Sequence, residues 1–207
     1  MFSSIPPVTR ALLIANIAVF LAQALAGDSL FIWFALWPFG SPGYTGPEAP
    51  AGFLPWQLVT YSFLHGNGLH LFVNMLGLFM FGSEVERVLG YRRYFTYYFV
   101  SVLSAALAQL VMSAMAAGPP YPTVGASGGV FGLLLAYGMF FPRRTVMLIF
   151  PPIPMPARMF VFTYAAIELY LGVTGTQAGV AHFAHLGGML GGFLMLRRWR
   201  RRRFDQE

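Results

Sequence analysis

The chain has 207 residues, of which 57% are hydrophobic and only 10% charged. A soluble domain usually carries about 25% charged residues, so the composition excludes an ordinary soluble enzyme and points to a single-domain, multi-pass integral membrane protein. The net charge of +6 comes from arginine alone, and the lack of cysteine excludes disulfides, thiolate nucleophiles and Cys-ligated metals.

In chain order, the first apolar run is 11–26, "ALLIANIAVFLAQALA". It follows a single arginine, Arg10, and lacks a clear small-residue cleavage site, so it reads as a membrane span and not as a signal peptide. A Pro/Gly-rich connection with aromatic residues suited to a membrane interface covers 27–67. The second span is expected over 68–82 and the third over 94–117. The fourth runs from Ser127 to Phe141, before Arg143 and Arg144, the fifth over 157–173 and the sixth over 180–196. A basic tail, 197–207, follows with "RRWRRRR". Such a run next to a membrane helix fits anionic lipid better than nucleic acid, so no nucleic-acid partner is expected.

The arginines set a direction. Arg10 precedes span one, and Arg87, Arg92 and Arg93 lie between spans two and three. Arg143, Arg144 and Arg158 flank the connection between spans four and five, and the last six follow span six. All fall on one side of a six-span chain, which the positive-inside rule makes cytoplasmic, together with both termini. Spans two, four and six then run from outside to inside. Their outer ends carry His70 and Asn74, Ser127, and His182 and His185. Span four, at about 22 Å, is shorter than a hydrocarbon core of about 30 Å. It should begin below the surface, and the non-helical "PPYPTVGA" before it should line a wet or protein-shielded cavity.

"GASGG" around Ser127 permits several meanings. It is not G-x-G-x-x-G and no lysine follows, so a phosphate loop is excluded. It matches the G-x-S-x-G nucleophile elbow, but that elbow needs a preceding strand in a soluble sheet, and here the end of an apolar run precedes it. Gly128 and Gly132 form a GxxxG pair, and "HLGGMLGG" in span six repeats that spacing at Gly187/Gly191 and Gly188/Gly192. Small residues at that spacing let helices approach closely, which would bring Ser127 and His185 together. All four histidines lie in "HGNGLH" and "HFAH", and ionisable groups in a membrane mark functional sites. A metal site is a rival reading, with His182 and His185 at i, i+3 and His65 or His70 completing it. Against it, no carboxylate is expected at that level. Glu168, the one acid inside a span, is placed past the middle of span five.

Taken together, "HGNGLHLFVN", "GASGG" and "AHFAHLGGMLGG" resemble the rhomboid intramembrane serine proteases, over about 55–196. The family pattern H-x-x-x-x-H-x-x-x-N is matched by His65, His70 and Asn74, G-x-S-G by Gly125, Ser127 and Gly128, and the span-six histidine followed by glycines by His185. "EVERVLG" also resembles the family, with Glu86 as its recurrent glutamate. The resemblance implies an all-α, six-helix rhomboid-like bundle around a cavity open to the outside, in one domain over 1–207. It implies a Ser127–His185 dyad without a catalytic acid, and an oxyanion hole of His70, Asn74 and the Ser127 backbone N–H. Phe131 stands where some members have tyrosine and is expected to stack on His185. His65, Gly125, Gly128 and His182 are supporting residues. Neither cofactor nor metal is implied. The implied partners are single-pass membrane proteins in the lipid bilayer, cut within a transmembrane segment, and the expected location is a prokaryotic cytoplasmic membrane. One departure is Trp56-Gln57 where the family often has Trp-Arg, which removes an arginine anchor from the first connection. "FPPIPMP" and Gly172 suggest a loosely tied span five past which substrate enters. The alternatives are an inactive family member that binds membrane helices and a His-based metal site.

Overall fold

The computed structural model describes residues 5–41, 52–115, 121–147, 152–175 and 181–204. The expected span ends at 116–117 and 180, part of the first connection, the first prolines of "PPYPTVGA" and the start of "FPPIPMP" lie outside the described residues.

Helix α1, Pro7–Ala26, begins with proline in its first turn, where a missing N–H costs nothing. It has no side-chain cap of its own. Glu86 supplies one from elsewhere, accepting hydrogen bonds from the backbone N–H groups of Val8 at 2.9 Å and Thr9 at 2.7 Å, and from the Thr9 hydroxyl at 2.7 Å. These N–H groups have no partner within the helix, and a carboxylate also suits the positive end of its dipole. Short helices α2, Ser29–Phe34, and α3, Gln57–Thr60, organise the first connection. There Gln57 is buried, accepts from the Trp37 and Leu54 backbone N–H groups at 3.2 and 3.1 Å, and donates to the Trp33 carbonyl at 3.3 Å. The connection is thus anchored by an amide in place of an arginine.

The second apolar helix is longer than the 68–82 expected. It is continuous from Gly68 to Leu89, comprising α4, Gly68–Gly77, a π-helical turn, Leu78–Gly82, and α5, Ser83–Leu89. The polar residues of "SEVERVL" continue it because Ser83, Val85 and Glu86 turn inward. Gly90, at φ +73°, then reverses the chain, a conformation that costs a side chain with a Cβ but not glycine. Helix α6, Tyr91–Met115, follows at once, and α7 is Ser127–Phe140. Two short antiparallel strands, β1 Thr145–Met147 and β2 Pro154–Pro156, join α7 to α8, Ala157–Thr174. This hairpin is an addition to the all-α expectation. Helix α9, His182–Phe204, carries the sixth apolar segment straight on through the arginines, so much of the expected tail continues the helix.

Helix α7 is the hub, packed by α6, α8 and α9. Most of its residues are buried, among them Gly128, Gly129, Gly132 and Gly138. Tyr97 of α6 donates to the Gly132 carbonyl at 2.7 Å, and Tyr61 donates to the Val102 carbonyl at 2.9 Å. The outer helices instead expose large apolar side chains, including Leu25 at 90%, Phe72, Val111 and Phe162. Apolar surface on this scale marks contact with an apolar surrounding. Among the described residues, three helices, Pro7–Ala26, Gly68–Leu89 and Tyr91–Met115, are long and apolar enough to cross a membrane. The short α7 does not reach that length. In α8 the polar residues Arg158 and Glu168 lower the mean hydropathy, and in α9 two histidines and the terminal arginines do the same.

Candidate active site

Ser127 is the first residue of α7. The chain reaches it in an extended conformation held by protein. Leu36 and Thr123 exchange two backbone hydrogen bonds at 3.0 and 2.9 Å, and the Gly125 N–H donates to the Tyr61 carbonyl at 3.0 Å. In this way Thr123 and Gly125 find backbone partners without helix, as buried irregular backbone must. Gly125 has φ +124°, and a Cβ there would lie 2.7 Å from Nε2 of His70. Any larger residue would displace that ring and strain the turn into α7.

The glycines of α7 and α9 set how closely the two helices meet. A Cβ on Gly188 would lie 2.0 Å from the Gly128 carbonyl oxygen, and one on Gly132 would lie 3.2 Å from the Gly188 carbonyl oxygen. Of the two glycine pairs in span six, only Gly188 faces α7 in this way. Gly187 and Gly191 fit against Ala108 and Ser104 of α6, and Gly192 against Tyr97. At this close approach, Ser127 Oγ lies 2.8 Å from His185 Nε2. The His185 ring stacks on Phe131, with centroids 4.2 Å apart and planes 4° from parallel.

Glu168 corrects the sequence reading. Its Oε2 lies 2.7 Å from His182 Nδ1 and 2.8 Å from His185 Nδ1, so a carboxylate does stand at the level of the histidines. The reason is directional: α8 approaches the end from which α9 departs, so residues past the middle of α8 lie near the start of α9. The two contacts differ in quality. His182 makes an aligned hydrogen bond, whereas the oxygen lies off the N–H direction of His185, whose Nδ1 has no hydrogen bond of full geometry among the described residues.

The carboxylate also bears on the metal reading. One potential ligand atom from each of Glu168, His182 and His185 falls within a 4.8 Å cluster that includes neither His65 nor His70. The separations of 2.7 and 2.8 Å are those of hydrogen bonds. Ligands about 2.0–2.1 Å from a tetrahedral zinc stand about 3.3 Å apart.

The second-span residues lie nearby in different ways. The His70 ring packs at Gly125, next to the turn that carries Ser127. Asn74 is buried and donates one amide N–H to the His70 carbonyl at 2.9 Å. His65 is 1% exposed and meets the His70 ring edge-on at 5.1 Å. Its backbone is clasped by Gln23 of α1, which donates to its carbonyl at 3.1 Å and accepts from its N–H at 3.0 Å. Sequence reasoning missed Gln23, Gln57 and the position of Glu168. Glu168 carried a signal, as a lone acid in an apolar helix, and Gln57 one through the resemblance, by standing where the family often has an arginine.

A family model described as the Rhomboid domain matches residues 53–202. The chain is 31% identical to the rhomboid protease GluP of Bacillus subtilis over 145 residues, covering 67% of this chain and 25% of that protein. It is 33% identical to RHOMBOID-like protein 4 of Arabidopsis thaliana over 145 residues, covering 68% of this chain and 33% of that protein. Similarity to the rhomboid protease GlpG of Serratia proteamaculans is 27% over 193 residues, or 91% of this chain and 61% of that protein. The chain thus spans from a quarter to about three fifths of the length of these relatives. The matched segment runs from the first connection through the arginines of α9 and contains the whole Ser127, His185, His70 and Asn74 neighbourhood, so this integral membrane protein, with its apolar helices packed around α7, belongs to the rhomboid family.

Proposed function

We propose that this protein is an intramembrane serine endopeptidase that cuts transmembrane segments of other membrane proteins, with Ser127 as nucleophile and His185 as general base. The observation that carries this reading is the 2.8 Å approach of Ser127 Oγ to His185 Nε2. A serine hydroxyl is a weak nucleophile until a base within hydrogen-bond reach takes its proton. As Oγ attacks the scissile carbonyl, its proton passes to Nε2 and a tetrahedral oxyanion forms. Collapse breaks the C–N bond, and Nε2 returns the proton to the leaving amine. Water then cleaves the acyl ester by the same two transfers. The oxyanion is received by the Ser127 backbone N–H at the positive end of α7, with His70 and Asn74 as side-chain donors.

The same reading takes α1, the Gly68–Leu89 helix, α6, α7, α8 and α9 as six spans of one domain over 1–207, with both termini cytoplasmic. Arginine placement supports it. The membrane is proposed to be a prokaryotic cytoplasmic one, and the substrates single-pass membrane proteins. Substrate enters between the outer halves of α4 and α8. The expectation of a loosely tied α8 changes in detail: Gly172 fits tightly against Phe183 and His182 of α9, and Phe160 meets Phe81 at 6.2 Å. Exposed Phe162, Tyr170 and Val173 leave the other face of α8 for lipid and substrate. A cross-link joining the outer halves of α4 and α8 should stop cleavage; undiminished cleavage would refute this route.

The deciding experiment uses a fluorophosphonate probe together with a helical reporter substrate. Labelling and cleavage should occur in the wild type and disappear in Ser127→Ala, and His185→Ala should also abolish cleavage. Cutting that survives Ser127→Ala and stops with a chelator would give the site to a metal. A folded wild type that neither labels nor cuts would make the chain an inactive member that binds membrane helices.

A further inference from the structure

Resting on the Ser127–His185 reading, we propose that Glu168 is a positioning residue for His185, completing a Ser127–His185–Glu168 line in which His182 holds the carboxylate in place.

Each ring nitrogen of His185 has one polar neighbour. Nε2 lies 2.8 Å from Ser127 Oγ and Nδ1 lies 2.8 Å from Glu168 Oε2. A base that takes a hydroxyl proton at Nε2 needs its lone pair there, and hence its own proton on Nδ1. A carboxylate at Nδ1 selects that tautomer and offsets the imidazolium formed when Ser127 gives up its proton, without itself taking one. Phe131 fixes the plane of the ring, but an apolar face cannot choose between its two nitrogens.

The cost of the carboxylate points the same way. Glu168 is 8% exposed in an otherwise apolar stretch of α8. A buried carboxylate is costly unless it is paired and hydrogen-bonded. His182, itself buried, supplies an aligned hydrogen bond at 2.7 Å. That leaves the same oxygen against His185, off the N–H direction. Catalytic hydrogen bonds in substrate-free enzymes are often poorly aligned and tighten in the Michaelis complex, and the Coulomb attraction between carboxylate and imidazolium depends on distance. The 18-residue helix α8 thereby contributes to the site as well as forming a wall.

The test combines kinetics with the tautomer of His185. The chain has only 4 histidines, so 15N-histidine labelling of the full-length protein in detergent or lipid gives few signals, assigned by His182→Gln and His185→Gln. In the wild type, neutral His185 should be the Nδ1–H tautomer. Glu168→Leu removes the acceptor. It should shift His185 toward Nε2–H and lower kcat by about 10²-fold or more, in the range of general-base effects, with KM within about twofold. Glu168→Gln keeps one acceptor oxygen and removes the charge. It should retain the tautomer with a smaller loss of kcat. If both variants keep the wild-type kcat and His185 signals, the inference is overturned while the Ser127–His185 reading stands. It is equally overturned if Glu168→Leu lowers only the melting temperature, since Glu168 would then merely brace α8 on α9. If the wild type shows no serine labelling, the functional reading fails, and the tautomer measurement still decides whether Glu168 governs His185.

Discussion

The Phe131 ring lies over the His185 imidazole, one helical turn along α7 from the serine that His185 faces, with the planes 4° from parallel. Stacked aromatic pairs contribute about 0.5–1.5 kcal/mol beyond simple burial. Phe131→Leu should therefore lower kcat by up to about tenfold with little change in KM. Phe131→Tyr keeps the stack and should stay near wild type. Steady-state cleavage of a helical reporter checks both.

The α7–α9 contact has no room for a side chain at Gly188. Gly188→Ala would place a methyl group 2.0 Å from the Gly128 carbonyl oxygen, a backbone atom that cannot rotate away. Overpacking of this kind costs roughly 1–3 kcal/mol. The variant should melt at lower temperature in detergent and lose cleavage, because the helices that carry Ser127 and His185 are forced apart. Wild-type cleavage by Gly188→Ala would mean that this contact does not set their separation.

Asn74 sits one turn from His70 and uses one of its amide N–H groups on the His70 carbonyl. As an oxyanion donor its loss should fall on kcat, by about 10²–10³-fold. Asn74→Ala should still fold and bind substrate with similar KM. A variant that changes only KM would remove Asn74 from the oxyanion hole.

Glu86 tests the opposite case, a buried charge outside the site. Glu86→Ala leaves the Val8 and Thr9 N–H groups without their carboxylate. An unsatisfied buried donor costs about 1–3 kcal/mol, so thermal unfolding should come earlier. Activity per folded molecule should be unchanged, as measured by cleavage normalised to probe labelling.

A surface pair provides the contrast. Arg144 meets Glu84 at 2.6 Å with its side chain 50% exposed, and Glu84 also pairs with Arg87. Exposed ion pairs contribute about 0–1 kcal/mol and weaken with salt. Arg144→Gln should shift the melting temperature only slightly, and less still at high ionic strength.

The residues themselves determined much about this protein. Apolar runs interrupted by arginines specify helices and suggest a direction across the membrane, because lipid admits few charges. Helix starts place His70, Ser127 and His185 in the first turns of their helices, whereas the spacing of His65, His70 and Asn74 and of Gly125, Ser127 and Gly128 was legible through the resemblance to the rhomboid family. Tertiary structure decided the rest. Glu86 caps a helix far away in sequence, Gln57 anchors a loop where an arginine was expected, and Gly187 and Gly191 serve α6 while Gly188 serves α7. Glu168 shows the difference most plainly. Its sequence position places it on a different helix from the histidines, and periodicity along a single helix says nothing about its neighbours on another. Only the antiparallel packing of α8 against α9 brings its carboxylate to His182, which supplies the aligned hydrogen bond a buried carboxylate needs, and within 2.8 Å of His185.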